Sequence, residues 1–546
     1  MAGISHKKPV IESVALCIIR NEQDIIEPFL RHTANLVDLI FVVDNCSTDS
    51  SREIISKCSR ELGNIVATDL PDDGFNQSET MTRALQHVQS IALADFVLFL
   101  DADEFVSASS KQELRTVLRR LSPMTIGLMP WATYVPDPTL SEADYPDPLD
   151  RLTMRREKES PQFYKAVLRM AGGFDPGLKI SMGNHFILDG KGLVLPSQVL
   201  DDLELIHFPL RSVDQLLAKG VIAWEANKRR TTYKAGSSEC YQWKRLHDIA
   251  QRNQRPSAEL LFQEALNYAQ DAGFEGTATA RGHGISIKRR FSDGGYARAE
   301  ELIEQSKKPT SKMIPPLSLP EKSKWPGGKR AASEALSTDW FRNEEYLDEP
   351  PIRFLVERYS LGSVLDLGCG IGLYPALYAH LGVEDVLGVD RVEQEATILE
   401  AERYVRADFQ RPFDVQRKFD LVTCLGVVQN IDRRGADILF DNIARHAKGQ
   451  ILFAMSEVGD QGSRHTKRGN IPEVLRHWAV RGWQPDLAAS LGIRALSAVP
   501  WFRRNAVLLK NTGETGMTDE AETLGSIDDL DDDWIGQPSR HRSVAF

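Results

Sequence analysis

The chain has 546 residues, 42% of them hydrophobic, and a formal net charge of −11. This composition supplies several packed cores and excludes a disordered or fibrous polymer. From Glu514 onward nine acids face two arginines, so the body is nearly balanced and a nucleic-acid polymer is not favoured as a partner. Six scattered cysteines, Cys17, Cys46, Cys58, Cys240, Cys369 and Cys424, form no C-x-x-C pair. They fit a reduced, cytoplasmic chain better than a disulfide scaffold or a zinc site. The opening MAGISHKKPV lacks the apolar core of a signal peptide. No run of about 18 apolar residues marks a transmembrane segment.

Ser13–Ile19 is an apolar run ending at Arg20-Asn21-Glu22, and a helix-like stretch follows through Leu36. A second apolar run, Leu39–Val43, ends in Asp44. The pattern then predicts a helix near Ser51–Leu62, a strand near Ile65–Thr68, a helix near Ser78–Leu93 and a third apolar run, Phe96–Leu100, ending in Asp101. Short apolar runs alternating with amphipathic helices predict a mostly parallel sheet. Polar residues collect at its strand ends, where open α/β sheets place ligands. Ser122–Asp150, rich in Pro, Trp and Tyr, reads as a loop region on the acceptor side. Strand-like pieces follow at Phe163–Met170, His185–Leu188 and Leu203–Phe208.

Beyond a Pro- and Lys-rich linker the alternation resumes. It predicts a helix at Glu349–Tyr359, a strand at Ser363–Leu367, a helix to Leu381, and strands at Asp385–Val389, Phe419–Cys424 and Gln450–Ala454. The expected organisation is a domain over residues 1–225 with a helical extension at 226–305, a linker at 306–330, a second domain at 331–512, and an acidic disordered tail at 513–546.

Asp101 and Asp103 follow the buried run FVLFL. Two apart in extended backbone, they leave on the same side. Paired carboxylates at a strand tip suit Mg²⁺ or Mn²⁺, which neutralises charge on a departing nucleoside diphosphate. Acid pairs are common on solvated loops, so the pair alone says little. Its setting says more: CIIRNEQDIIEPFLRHTANL, FVVDNCSTDSS and DFVLFLDADEF, then GNHF and IHFPLRS, in that order. Over Val14–Lys219 the chain resembles the family 2 glycosyltransferases of the GT-A fold. The resemblance implies that Arg20, Asn21 and Glu22 begin the nucleotide contact and that Asp44 meets the nucleoside. It implies that Asp101 and Asp103 take the metal and diphosphate, that His207 is a third metal ligand, and that Arg211 reaches the diphosphate. His185 is a rival ligand. The plainer readings are a hydrogen-bonded strand histidine for His207, a turn cap for Asp44 and a helix-end cover for Arg211. Inversion, the family's outcome, needs a base beside the acceptor hydroxyl. Asp189, Asp201, Asp202 and Glu204 are candidates, and the residues do not choose among them.

Val364–Leu367 predicts a buried strand, with Gly368-Cys369-Gly370-Ile371-Gly372 turning after it. A dinucleotide fingerprint needs a third glycine where Leu373 stands, which argues against NAD. Asp390 ends the next strand, at the place for ribose hydroxyls. Asp408, in VRADFQRPF, ends what would be a third strand, where an acid accepts from an adenine amine. Over Asp348–Leu509 this set resembles the class I S-adenosylmethionine methyltransferases. The resemblance implies that Asp366, Gly368 and Gly370 hold the methionine end, Asp390 the ribose, and Asp408 and Phe409 the adenine. After FDLVTC, where many members carry an acid or His, stands LGVVQNI, and Asn430 is a weak substitute. His465, in GSRHTKRGN, is the candidate base for methyl transfer, against the plainer reading of a surface-loop histidine. No nucleobase-methylation motif of the Pro-Pro-Tyr type is present.

The expected fold is α/β: an N-terminal GT-A type nucleotide-sugar domain and a C-terminal doubly wound methyltransferase sheet. The expected function is bifunctional. A sugar passes from a nucleotide-sugar donor to a glycan-type acceptor, and a methyl group passes from S-adenosyl-L-methionine, possibly to a hydroxyl of the same glycan. The alternatives are a glycosyltransferase whose methyltransferase-like half only binds, and a scaffold whose acidic tail recruits a partner.

Overall fold

The computed structural model describes residues 11–69, 77–91, 94–170, 177–228, 241–252, 255–271, 274–285, 289–291, 296–307, 347–428, 431, 433–455, 471–497 and 499–527. The chain forms two compact units that divide near residue 312. Among the described residues no helix is long and apolar enough to cross a membrane.

In the first unit the strands are β1 (Ile11–Ile19), β2 (Leu39–Asp44), β3 (Ile65–Asp69), β4 (Ala94–Leu100), β5 (Glu104–Val106), β6 (Thr125–Val135), β7 (Met154–Arg156), β8 (Tyr164–Arg169), β9 (Lys179–Ile180), β10 (Ile187–Leu188), β11 (Ser197–Val199), β12 (Leu205–His207) and β13 (Ala278–Ala280). The main sheet runs β13-β7-β6-β8-β4-β1-β2-β3, with β11 and β12 also on β6 and β5 on β12. β4, β1, β2 and β3 are parallel neighbours. Their residues are buried on both faces, as helix-covered parallel strands must be. The helix Ser51–Leu62 stops at Gly63, whose φ of 82° a side chain would resist.

The sheet turns antiparallel beyond β4, where β8 pairs with both β4 and β6. This corrects two expectations. The sheet is mixed rather than mostly parallel, and the presumed loop at Ser122–Asp150 contains the long strand β6. Pro130 and the aromatic residues mask its period, yet its pairing continues through Pro130 to Tyr164. Gly127 lets β6 lie close to its neighbours: a β-carbon there would sit 2.7 Å from both Leu200 and Val167. The extension is not wholly helical either. Helices Val213–Lys228, Tyr241–Ala250, Ala258–Leu266 and Ala299–Lys307 are joined by β13, which pairs with β7.

In the second unit the strands are β14 (Ser363–Leu367), β15 (Asp385–Asp390), β16 (Tyr404–Arg406), β17 (Phe419–Leu425), β18 (Ala447–Ala454), β19 (Trp483–Pro485) and β20 (Val507–Asn511). Their order is β16-β15-β14-β17-β18-β20-β19. The first five are parallel, reversing direction of travel at β14, which is the doubly wound arrangement. β20 inserts antiparallel between β18 and β19. The acidic tail departs from the expected disorder at its start: Asp519–Ile527 is a helix with Ala521 and Leu524 fully buried. The linker from residue 308 and the tail from residue 528 lie outside the described residues.

Replacing Gly127 by Val forces its new atoms into Leu200 and Val167. The expected cost is about 1–3 kcal/mol, read as a lowered thermal midpoint of the full chain. An unchanged midpoint contradicts the close packing of β6.

Candidate active sites

Ile19 on β1 lies opposite Asp44 on β2, so the segments leaving these two strands meet. Asn21 takes left-handed backbone with φ of 56°. Its N–H donates to Ser47 Oγ at 2.9 Å, and its Oδ1 accepts from the Thr48 N–H at 2.7 Å. The Glu22 N–H donates to Ser51 Oγ at 2.8 Å and the Gln23 N–H to Asp49 Oδ2 at 3.1 Å. Asp44 is buried. Its Oδ1 accepts from the N–H of Ser47 at 3.1 Å and from its hydroxyl at 2.5 Å, while Arg52 Nε stands 3.3 Å from Oδ2. Burial pushes the Asp44 carboxyl up to about 6. Asp44 therefore caps its own turn and still presents an oxygen toward Arg52. Arg20 is half-buried at the head of the laced segment.

After β4 the backbone turns sharply, the Glu104 N–H donating to the Asp101 carbonyl at 3.0 Å. The extended geometry expected for Asp101 and Asp103 is thus replaced by a turn in which each acid meets a different cation. Lys165, fully buried on β8, places Nζ 2.5 Å from Asp101 Oδ2 and 2.9 Å from Glu104 Oε2. Asp101 Oδ1 accepts from Gln77 Nε2 at 3.2 Å and Asn184 Nδ2 at 3.5 Å. Asp103 Oδ2 lies 3.2 Å from Lys219 Nζ and 3.7 Å from Arg211 Nη1. Arg211 is fully buried. It donates to Asp24 at 2.8 and 2.9 Å, to Glu22 at 2.5 Å and to the Phe208 carbonyl at 3.2 Å. The expected outward reach of Arg211 to a diphosphate is corrected here: its donors are spent on acids inside the protein.

β5 and β12 pair with Glu104 opposite His207, which carries His207 to the Asp101–Asp103 turn. His207 stacks on Trp131 with ring centroids 4.1 Å apart, and Trp131 Nε1 donates to Glu104 Oε1 at 3.0 Å. Burial holds the His207 imidazole down at about 3, so it is neutral, and its Nδ1 has no hydrogen-bond partner among the described residues. The rival His185 has its Nδ1 2.7 Å from the Tyr164 carbonyl. The Nδ1 of His207 is thus unpartnered among the described residues, whereas that of His185 is engaged by a carbonyl.

Glu22, Asp24, Asp101, Asp103 and Glu104 share three cations, Arg211, Lys165 and Lys219. Fully ionised, the cluster is two positive charges short. Burial accordingly pushes Glu22 up to about 7 and Glu104 up to about 8. Among the described residues no group of three or more His, Cys, Asp or Glu side chains is placed to hold a metal ion by itself. A hard divalent ion of the Mg²⁺ type does not need one, because it keeps waters and substrate phosphate oxygens as ligands. The charge deficit and the buried, unpartnered nitrogen of His207 fit such an ion. None of the base candidates is singled out by its setting. Glu204 pairs with Arg155 at 2.5 Å, Asp202 pairs with Arg120, Asp189 accepts from the N–H groups of Lys191 and Leu193, and Asp201 is exposed.

Sequence reasoning missed Lys165, Lys219, Trp131, Gln77 and Asn184. A signal existed for Lys165, a charge set inside the strand-like run YKAVLR ahead of its apolar centre. Trp131 was hidden by the misread strand, and Lys219 lies on a helix distant in the chain.

In the second unit Leu367 on β14 lies opposite Val389 on β15. The Gly368 N–H donates to the Val389 carbonyl at 2.8 Å, and the Gly370 N–H to Asp390 Oδ2 at 2.9 Å. Gly368 has φ of 84°, and a β-carbon there would lie 2.3 Å from Val427, so only glycine fits this bend. Asp366 is buried, and its Oδ1 accepts from the Thr423 hydroxyl at 2.6 Å. Burial pushes its carboxyl up to about 7. The Ala407 N–H donates to the Asp390 carbonyl at 2.9 Å, bringing the Asp408 segment beside Asp390. Asp408 Oδ1 accepts from the Gln410 N–H at 3.2 Å, and the buried Phe409 ring lies 5.8 Å from the Arg391 guanidinium. His465 and Asn430 lie outside the described residues.

The model of the glycosyl transferase family 2 matches residues 15–139, and a methyltransferase domain model matches residues 340–488. Solved structures similar to part of the chain include the glycopeptide N-methyltransferase MtfA complexed with S-adenosyl-L-methionine, at 17% identity over 30% of this chain and 94% of that one, TM-score 0.22. Magnesium protoporphyrin IX methyltransferase from Synechocystis PCC 6803 is 14% identical over 27% of this chain and 67% of that one, TM-score 0.19. A protein of Pyrococcus horikoshii OT3 is 20% identical over 22% of this chain and 66% of that one, just under two thirds of its length, TM-score 0.19. No curated protein matches the chain. The chain is a transferase enzyme that joins a family 2 glycosyltransferase domain to a class I methyltransferase domain.

Proposed function

We propose that the first unit transfers a sugar from a nucleotide-sugar donor to a hydroxyl of a glycan-type acceptor, with inversion and with Mg²⁺ or Mn²⁺. The second unit then transfers a methyl group from S-adenosyl-L-methionine to a hydroxyl of the same glycan. The observation that carries the first half is the buried acid cluster two positive charges short at the strand tips. Asp103 and His207, with Asp101 beside them, would hold the divalent ion, which neutralises the charge of the departing diphosphate. Arg20, Asn21 and Glu22 open the nucleotide site, and Asp44 faces the nucleoside. Arg211 holds Glu22, Asp24 and Asp103 in place from behind.

The second half rests on the contact between Gly370 and Asp390. Asp390 takes the ribose hydroxyls, Asp408 and Phe409 the adenine, and Asp366 with Gly368 and Gly370 the methionine end. His465 remains the proposed base for a hydroxyl acceptor. Joining the two units in one chain raises the concentration of glycosylated product near the methyl donor, and assembly of a surface polysaccharide suits that arrangement.

Incubating the full chain with nucleotide sugars, acceptor glycans and Mn²⁺ is expected to add one glycosyl residue to the acceptor mass, and then one methyl group once S-adenosyl-L-methionine is supplied. Asp103→Asn should lower the first step on the order of 100-fold or more and leave methylation of pre-glycosylated product intact. Asp390→Ala should abolish only the second. A methyl group added only to unrelated metabolites would sink the coupling of the two steps.

Asp366 gives a pH test. Its folded value of about 7 leaves it protonated below neutrality, and a protonated carboxyl cannot pair with the methionine ammonium. Affinity for S-adenosyl-L-methionine by calorimetry should therefore fall as pH drops from 7 toward 5, approaching a limit of about tenfold per unit. In Asp366→Asn it should be weak and flat over that range. An equally steep slope in the variant assigns the titration elsewhere.

A further inference from the structure

Asn184 carries two costs at one position. Its backbone is left-handed, with φ of 60°. Its side chain is fully buried, yet Oδ1 has no hydrogen-bond partner among the described residues. An orphaned buried acceptor is destabilising, and backbone strain and orphaned groups concentrate where a ligand is bound. The orientation of the amide is fixed by its neighbour: Nδ2 faces Asp101 Oδ1 at 3.5 Å, and flipping it would set oxygen against carboxylate.

The turn that holds Asn184 is tied to the same acid twice. The Gly183 N–H donates to Gln77 Oε1 at 3.0 Å, and Gln77 Nε2 donates to Asp101 Oδ1 at 3.2 Å. The next residue, His185, lies 5.4 Å from the Phe163 ring and 5.9 Å from that of Trp131. All three rings are half-buried. Asp101 itself keeps 32% of its side chain exposed, so a group seated there neighbours the buried amide whose Nδ2 meets the same carboxylate. A neutral acceptor beside partly exposed aromatic faces suits a sugar, which offers hydroxyl donors and apolar C–H faces.

We propose that Asn184 is a specificity-determining residue whose amide oxygen accepts a hydrogen bond from a hydroxyl of the donor's sugar, next to Asp101. This rests on the nucleotide-sugar reading of the first unit. A site that leaves a buried acceptor unpaired when the hydroxyl is missing discriminates strongly against the deoxygenated analogue.

The test uses the full chain with Mn²⁺ and compares the binding of UDP and GDP with that of UDP-glucose, UDP-galactose and GDP-mannose by calorimetry. The variants are Asn184→Ala and Asn184→Gly, the second keeping left-handed backbone without strain. The wild type is expected to bind at least one nucleotide sugar more tightly than its diphosphate. Both variants should lose that gain, roughly tenfold or more, while diphosphate affinity stays within about twofold. A gain that survives in Asn184→Gly overturns the proposal, as does a wild type that binds diphosphate but gains nothing from any of the sugars. An equal loss of diphosphate affinity also overturns it, reducing Asn184 to a prop for Asp101. Failure of both UDP and GDP to bind sinks the nucleotide-sugar reading itself.

Discussion

Five acids gathered against only three bases, most of them buried, set the terms for the first unit. Charges buried at a strand tip are costly unless paired, and here the pairing is incomplete by two. Two regions of the chain supply the cations: β8 brings Lys165, while the segment after β12 and the helix Val213–Lys228 that follows it bring Arg211 and Lys219. The mixed sheet exists in this form because β6 and β8 fold back beside β4 and carry Trp131 and Lys165 to the acids. Without the antiparallel half, the parallel half would present bare carboxylates.

The second unit works with backbone where the first works with charge. Its bend is made by glycines with positive φ at Gly368 and Gly370, the first packed too close to Val427 for a side chain, and Asp390 is held at the bend by a hydrogen bond from the Gly370 N–H. Asp366, by contrast, is sunk below the bend and anchored by Thr423. The two acids do different work because burial differs: one stays near the surface beside polar N–H groups, and the other sits where its charge is opposed.

Much of this was legible in the residue order. Apolar runs of five to seven residues, three of them closed by an acid, gave β1, β2, β4, β14 and β15 within a residue or two, since strands covered on both faces leave continuous apolar signatures. The acids at their tips followed by position. What escaped was whatever tertiary contact decides. β6 has a proline and mixed polarity, so only its partners reveal it as a strand. Short pieces such as β5 and β19, three residues each, lack the length for a period to appear. The acidic tail hid a short helix because two buried residues, Ala521 and Leu524, are too few to stand out among its charges. At the first site the geometry of Asp101 and Asp103 was not legible, because a turn with its own hydrogen bond replaced extended backbone. Arg211 was placed in the right neighbourhood and facing the wrong way, since its partners Glu22 and Asp24 lie at the other end of the domain's sequence.

The central claim is that the acid cluster of the first unit is completed by a divalent cation. Manganese binding to the full chain without nucleotide, followed by electron paramagnetic resonance, tests it most directly. The account predicts saturable binding that weakens by roughly tenfold or more in Asp103→Asn and in His207→Ala. Manganese that stays free in the wild type, both alone and with UDP or GDP present, would contradict it.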